Sequence, residues 1–204
     1  MDTIHARGRY GCNVLHCTLQ NKNQLERVIH YVVDLFCDND NIFQQGDENQ
    51  MTPLHLACLN HNKRIINKVY NKKPNAIWLK DKEHNLPFHF ACGRYPMLAT
   101  NTLHELLNAW IECVLQRRLD GSIPLHCIVE ARPTGKDALL FISRLIYLFD
   151  ESVNTTNNNG ETALHIACQH CKDCNVISLL LMFSPTSVNV YDNNGNLPLH
   201  YALK

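Results

Sequence analysis

Twelve histidines and ten cysteines in 204 residues are the side chains best suited to chemistry. Together they are the usual ligands of zinc and the groups of thiol redox centres. Their densest run is Cys168-Gln169-His170-Cys171-Lys172-Asp173-Cys174, in which Cys171 and Cys174 form a Cys-x-x-Cys beside His170. A structural zinc site takes four such ligands at tetrahedral geometry. This run offers three, because Cys168 falls on a core position, and no second Cys-x-x-Cys completes the set. A thioredoxin-like centre places the motif after a strand and at a helix start; here it lies between two helical stretches. A metal- or redox-sensing module built on Cys171 and Cys174 is therefore the rival reading, not the leading one.

Other chemistry fares worse. Pro133-Thr134-Gly135-Lys136-Asp137 has the look of a phosphate loop, but Glu130 stands where its first glycine belongs and Asp137 where its Ser or Thr belongs. No G-x-S-x-G, H-E-x-x-H or G-x-G-x-x-G occurs. His104-Glu105 sits on an amphipathic stretch and reads as a solvated face. An enzyme is not expected, nor a cofactor, nor a bound metal. The 19 basic and 19 acidic residues cancel, and Lys63-Arg64, Lys72-Lys73 and Arg117-Arg118 are isolated pairs, so no basic face for nucleic acid is expected. No apolar run approaches a membrane span, and residues 1–30 hold no apolar signal region. Free thiols suit a reducing compartment. The expected location is the cytoplasm, or the nucleus, or a host cytoplasm if the source is a virus.

The histidines matter more by spacing than by chemistry. His55 closes Thr52-Pro53-Leu54-His55, and His89 closes Leu86-Pro87-Phe88-His89. His126, His165 and His200 close Ile-Pro-Leu-His, Thr-Ala-Leu-His and Leu-Pro-Leu-His, and a weaker copy ends at His16. The steps are 39, 34, 37, 39 and 35 residues, a period that marks a repeat architecture. Other columns keep the same register. Ala57, Ala91, Ala167 and Ala202 lie two residues on, and Cys58, Cys92 and Cys168 three on. Gly11, Gly121, Gly160 and Gly195 lie five before, and Asp47, Asp81 and Asp192 eight before. Phe43, Ile77, Val114, Val153 and Val188 lie twelve before, and Pro74 and Pro185 fifteen before.

Each column implies a local structure. Proline at the first helical position loses no hydrogen bond, and Thr52 or Thr162, just before the first helical residue, can cap the helix. Glycine supplies positive φ at a turn tip. Second apolar stretches follow at Leu25–Phe36, Arg64–Tyr70, Thr102–Trp110, Ala138–Phe149 and Val176–Phe183. Each unit therefore reads as turn, helix, short loop, helix and an extended arm. Cys17, Cys58, Cys92, Cys127 and Cys168 are expected as small core side chains.

These residues resemble the ankyrin repeat, whose mark is T-P-L-H-x-A. Thr52-Pro53-Leu54-His55-Leu56-Ala57-Cys58 and Thr162-Ala163-Leu164-His165-Ile166-Ala167-Cys168 match it closely. The Leu-Pro-Leu-His variant resembles ankyrin proteins of protists, algae and giant viruses. Leu86, Ile123 and Leu197 depart from the capping threonine. Gln50 and His84 depart from the tip glycine, so a different or strained turn is expected at those two tips. The resemblance implies an all-α ankyrin-repeat solenoid with β-hairpin-like turn tips: one domain over residues 1–204, with five full repeats and a partial sixth.

The resemblance also implies a monomeric module that binds another protein, not nucleic acid or membrane, through a concave face of turn tips and first helices. The histidines then bridge backbone groups. The partner-binding candidates, by register, are Glu48, Asn49, Met51, Leu59 and Asn60, then Lys82, Glu83, Asn85 and Arg94. The next units add Leu119, Asp120, Ser122 and Glu130, then Asn158, Asn159, Glu161 and Gln169, then Asn193, Asn194 and Asn196. Trp78 joins them as an exposed aromatic candidate in the arm.

Overall fold

The computed structural model describes residues 11–21, 25–36, 39–60 and 62–203. The remainder of the expected 1–204 domain lies outside these residues. The chain forms two compact units, residues 1–90 and 91–204. Among the described residues every regular element is helical, and no helix is long and apolar enough to cross a membrane.

The first unit holds α1 (Val14–Gln20), α2 (Glu26–Leu35), α3 (Asp40–Gln44), α4 (Pro53–Asn60) and α5 (Lys63–Lys72). The helix α6 (Pro87–Gly93) contains the division between units. The second unit holds α7 (Thr100–Ala109), α8 (Pro124–Glu130), α9 (Gly135–Leu148), α10 (Ala163–His170), α11 (Cys174–Phe183) and α12 (Pro198–Ala202). Within each unit first helices pack on first helices and second on second: α1 on α4 and α2 on α5, then α8 on α10, α10 on α12, α7 on α9 and α9 on α11. The expected second helices all form, with ends no more than three residues from those of their apolar stretches.

The sequence columns become layers of core. Leu15, Leu54, Phe88, Leu125 and Leu164, one residue before the first five histidines, are buried, while Leu199 before His200 is exposed. So are Ala57, Ala91 and Ala167, whose small size lets neighbouring helices close up. Cys58, Cys92 and Cys127 are buried as expected, but Cys17 is exposed and Cys168 half-buried. The residue after the histidine faces the preceding repeat: Phe90 sets its ring edge against His55, and Tyr201 against His165. Among the described residues α1 has no repeat before it, so Cys17 is left uncovered. The short α12 leaves Cys168 partly open.

The arm is a second correction. A short helical turn, rather than extended chain, occupies the same register in every repeat: Asp40–Gln44, Pro74–Trp78, Ile111–Cys113, Asp150–Asn154 and Pro185–Asn189. All but the first are 3-10 turns. Pro74 and Pro185 start theirs, where a missing N–H costs nothing.

The tips share one turn. The N–H of Asp47 donates to Met51 O at 3.0 Å, and that of Gln50 to Asp47 O at 2.9 Å. The same pair recurs at residues 81–85, 118–122, 157–161 and 192–196. Gln50 and His84 sit at φ of 60° and 59°, beside 79°, 77° and 76° at Gly121, Gly160 and Gly195. Of the two expected outcomes the strained turn is the one found: backbone bonding holds the same turn, and the two non-glycine residues are forced into the left-handed region. Gly160 is required for a further reason. A Cβ there would meet Asn193 N at 2.9 Å and its Oδ1 at 2.7 Å.

Candidate functional site

Each first helix is fixed by its histidine. The N–H of the residue three before donates to the imidazole Nδ1 in all six cases: Asn13, Thr52, Leu86, Ile123, Thr162 and Leu197, at 2.9–3.2 Å. A backbone N–H can only donate, so Nδ1 carries no proton and Nε2 does. That Nε2–H reaches the next tip: His16 to Met51 O at 2.7 Å, His55 to Asn85 O at 2.9 Å and His165 to Asn196 O at 3.3 Å. Burial holds the His55 imidazole below its ordinary value and pushes that of His126 down to about 4. The buried His126 Nε2 makes no hydrogen bond of ordinary geometry, although the Glu161 backbone still acts on the ring. There Arg117 joins the two tips instead, its Nη1 donating to Gly121 O at 2.9 Å and Thr156 O at 2.7 Å.

A carboxylate or amide shapes each tip from within. Asp47 Oδ1 accepts the N–H groups of Asn49 and Met51, Asp81 Oδ1 those of Glu83 and Asn85, and Asp192 Oδ1 those of Asn194 and Asn196. Asn157 Oδ1 takes the same place for Asn159 and Glu161. Successive tips are joined through backbone: Lys82 N–H to Asn49 O, Asn158 N–H to Asp120 O and Asn193 N–H to Asn159 O, at 2.8–2.9 Å.

In the first unit, Glu48, Asn49, Lys82 and Glu83 are exposed, and Met51, Leu59, Asn60 and Asn85 half-buried. Asn60 spends its Nδ2 on Leu19 O, and Asn85 its own on both Asp81 oxygens. Trp78 is 42% exposed. In the second unit Arg94 is half-buried, and Leu119, Asp120, Glu130, Asn158, Asn159, Gln169, Asn193 and Asn194 are exposed. Asn158 and Asn193 donate their side-chain amides to Leu119 O and Asn158 O, which ties tip to tip. Asn196 is half-buried on Asp192. Ser122 is buried.

Six of these residues converge. Asp120, Ser122, Glu130, Asn159, Glu161 and Gln169 line one polar hollow of about 300 Å³ in the second unit, with Arg118, Asn157, Ile166 and His170. Two tips and the ends of α8 and α10 bound it. Arg118 Nε donates to Asp120 Oδ1 at 3.2 Å and its Nη2 bonds Oδ2. Burial alone would raise the Asp120 carboxyl, but Arg118 and the Ser122 N–H hold it below its ordinary value. Glu161 is fixed by Asn157, Asn159 and the Tyr201 hydroxyl. The register missed Arg118 and Asn157, yet both occupy the column where Asp47, Asp81 and Asp192 stand.

The cysteine run is not gathered into a centre. Cys171 Sγ donates to Val129 O at 3.5 Å, and burial pushes its thiol up to about 11. Cys174 starts α11 and is exposed. Among the described residues no group of three or more His, Cys, Asp or Glu is placed to hold a metal ion.

Paired helices packed repeat on repeat, histidine-locked first turns and bonded tips define a helical repeat protein. Residues 134–204, within the second unit, match the family described as ankyrin repeats (3 copies), so this part of the chain is built of ankyrin repeats. Ankyrin repeats are in general protein–protein interaction modules and typically non-enzymatic. No curated protein matches the chain.

Proposed function

We propose that this protein docks another protein through the face formed by tips 118–122 and 157–161 with the exposed ends of α8 and α10. The observation that carries the reading is the convergence of six register-assigned residues on one hollow. Tips bonded to one another and histidine-locked helices present that face already ordered, so little conformational entropy is lost on docking. The candidates of the first unit, with the exposed Trp78, form a second surface of their own, which this reading does not need. In this reading the chain performs no reaction of its own, and it works in the reducing cytoplasm, where its thiols stay free.

Affinity capture from the source cell tests this with two baits, the wild-type chain and an Asn159→Ala/Gln169→Ala variant. Both substituted residues are exposed, so the variant keeps its fold, which circular dichroism checks. A partner identified by mass spectrometry with the first bait and lost from the second supports the reading. Equal recovery by both baits overturns this placement of the face.

A further inference from the structure

We infer that the hollow between tips 118–122 and 157–161 is a receptor for one arginine side chain of the docked partner. This rests on the docking reading above and names the chemistry which that face selects.

Charge is the first ground. Three carboxylates line the hollow, those of Asp120, Glu130 and Glu161, against one fixed cation, Arg118. Asp120 already answers Arg118 through two hydrogen bonds. Among the described residues Glu161 meets neutral donors only: Asn157 Nδ2 at 2.8 Å, Asn159 Nδ2 at 3.3 Å and, at 3.1 Å, the Tyr201 hydroxyl that it shares with Asp192. Its orientation is fixed, and among the described residues no ion pair answers its charge. Glu130 is exposed and makes no hydrogen bond or ion pair among the described residues.

The backbone adds to this charge. Glu130 is the last residue of α8 and His170 the last of α10, so two helix C-termini open onto the same hollow. A helix C-terminus carries partial negative charge, and a carboxylate there is at the unfavourable end. Arg118 acts on Glu130 without bonding it, so the helix end alone opposes this carboxylate, and a cation seated between it and Glu161 meets both carboxylates.

Shape selects arginine over lysine. The hollow, at about 300 Å³, sits at the lower limit of small-molecule pockets and suits a single long side chain. Buried Ile166 gives an apolar surface for the methylene stem. The planar guanidinium offers five donors to the Glu130 carboxylate, the Gln169 amide oxygen and helix-end carbonyls, where an ammonium offers a point charge.

The probe is acetyl-Gly-Gly-Arg-Gly-Gly-amide, titrated into the ¹⁵N-labelled full chain, with the lysine and glutamate counterparts as comparisons. Saturable amide shifts at Glu130, Gln169 and His170 are expected with the arginine peptide, weaker ones with lysine and none with glutamate. Glu130→Gln, an exposed near-isosteric change, should weaken arginine binding about tenfold. Shifts that do not saturate, scatter over the surface or survive Glu130→Gln undiminished overturn the receptor. Absent shifts beside a partner that still needs Asn159 and Gln169 would leave the docking face standing and the arginine receptor wrong. Saturable, Glu130-dependent shifts beside a partner indifferent to Asn159 and Gln169 would do the reverse.

Discussion

The recurring histidine works as a neutral imidazole with its proton on Nε2. Protonating Nδ1 would set two donors face to face at the start of each helix, so the repeat depends on the ring staying uncharged. For His55, replacement by alanine orphans the Thr52 N–H and the Asn85 carbonyl in a buried place. The expected loss is roughly 1–3 kcal/mol, read by urea unfolding. His126 sets a pH dependence. Its folded value lies near 4, against 6.5 in the unfolded chain, so between those values the unfolded state binds the extra proton and stability falls with falling pH. Its contribution is whole above about pH 7 and shrinks by roughly 2 kcal/mol at pH 5. His55 is lowered in the same direction and adds to the slope. The lowered carboxylates, Asp34, Asp120, Asp173 and Asp192, titrate below this window. Urea unfolding at pH 7.5 and pH 5 should show the drop, and His126→Gln should flatten it; a pH-independent midpoint would contradict the assignment.

At the scale of elements, the tips show how backbone bonding overrides residue preference. Gln50 and His84 hold a left-handed conformation that costs a side-chain-bearing residue about 1 kcal/mol. Gln50→Gly and His84→Gly should each raise stability by up to about 0.5–1 kcal/mol, the gain reduced by the greater freedom of glycine in the unfolded chain. Gly160→Ala should do the opposite and cost more, because its Cβ would press on the backbone of Asn193. Thermal unfolding of the three variants checks the signs. The first and second helices were legible in the sequence because Thr-Pro-Leu-His marks one start and a 3.6-residue apolar period marks the other. The short turns at Asp40–Gln44, Pro74–Trp78 and their counterparts were not. They span only three to five residues, all but the first held by i to i+3 bonds, which is too short for a period, and only two of them begin with proline. The hollow was half legible for the same reason. Register found Asp120, Glu130 and Gln169, which occupy tip and helix-end columns. Arg118 and Asn157 were hidden because they replace the aspartate of their column, and Ile166 because a buried side chain on the repeat face looks like core.

For the molecule as a whole, stability in a repeat stack is local to neighbouring repeats, and the second unit shows this at its last described helix. Residues 196–203 supply the Asn196 carbonyl to His165, and the Tyr201 hydroxyl to Asp192 at 2.6 Å and to Glu161 at 3.1 Å. The Tyr201 hydroxyl is the chief reason that the Asp192 carboxyl lies far below its ordinary value. Leu197, Pro198 and Leu199 also wall an apolar hollow of about 370 Å³ whose other side is Leu164, Cys168, Ile177 and Leu181. Removing residues 196–204 would take away one wall of that hollow, leave the His165 Nε2–H without an acceptor and strip Glu161 of a donor. Each buried methylene exposed costs about 0.8 kcal/mol, and an unpaired imidazole N–H adds roughly 1–3 kcal/mol. The truncated chain should therefore unfold at lower urea and associate in size-exclusion chromatography, through the face of Ile177, Leu181 and the already exposed Met182. Amide exchange should accelerate in α10 and α11 while α4 and α5 keep their protection. A truncated chain as monodisperse and as stable as the intact one would mean that α12 contributes nothing to the core of the second unit.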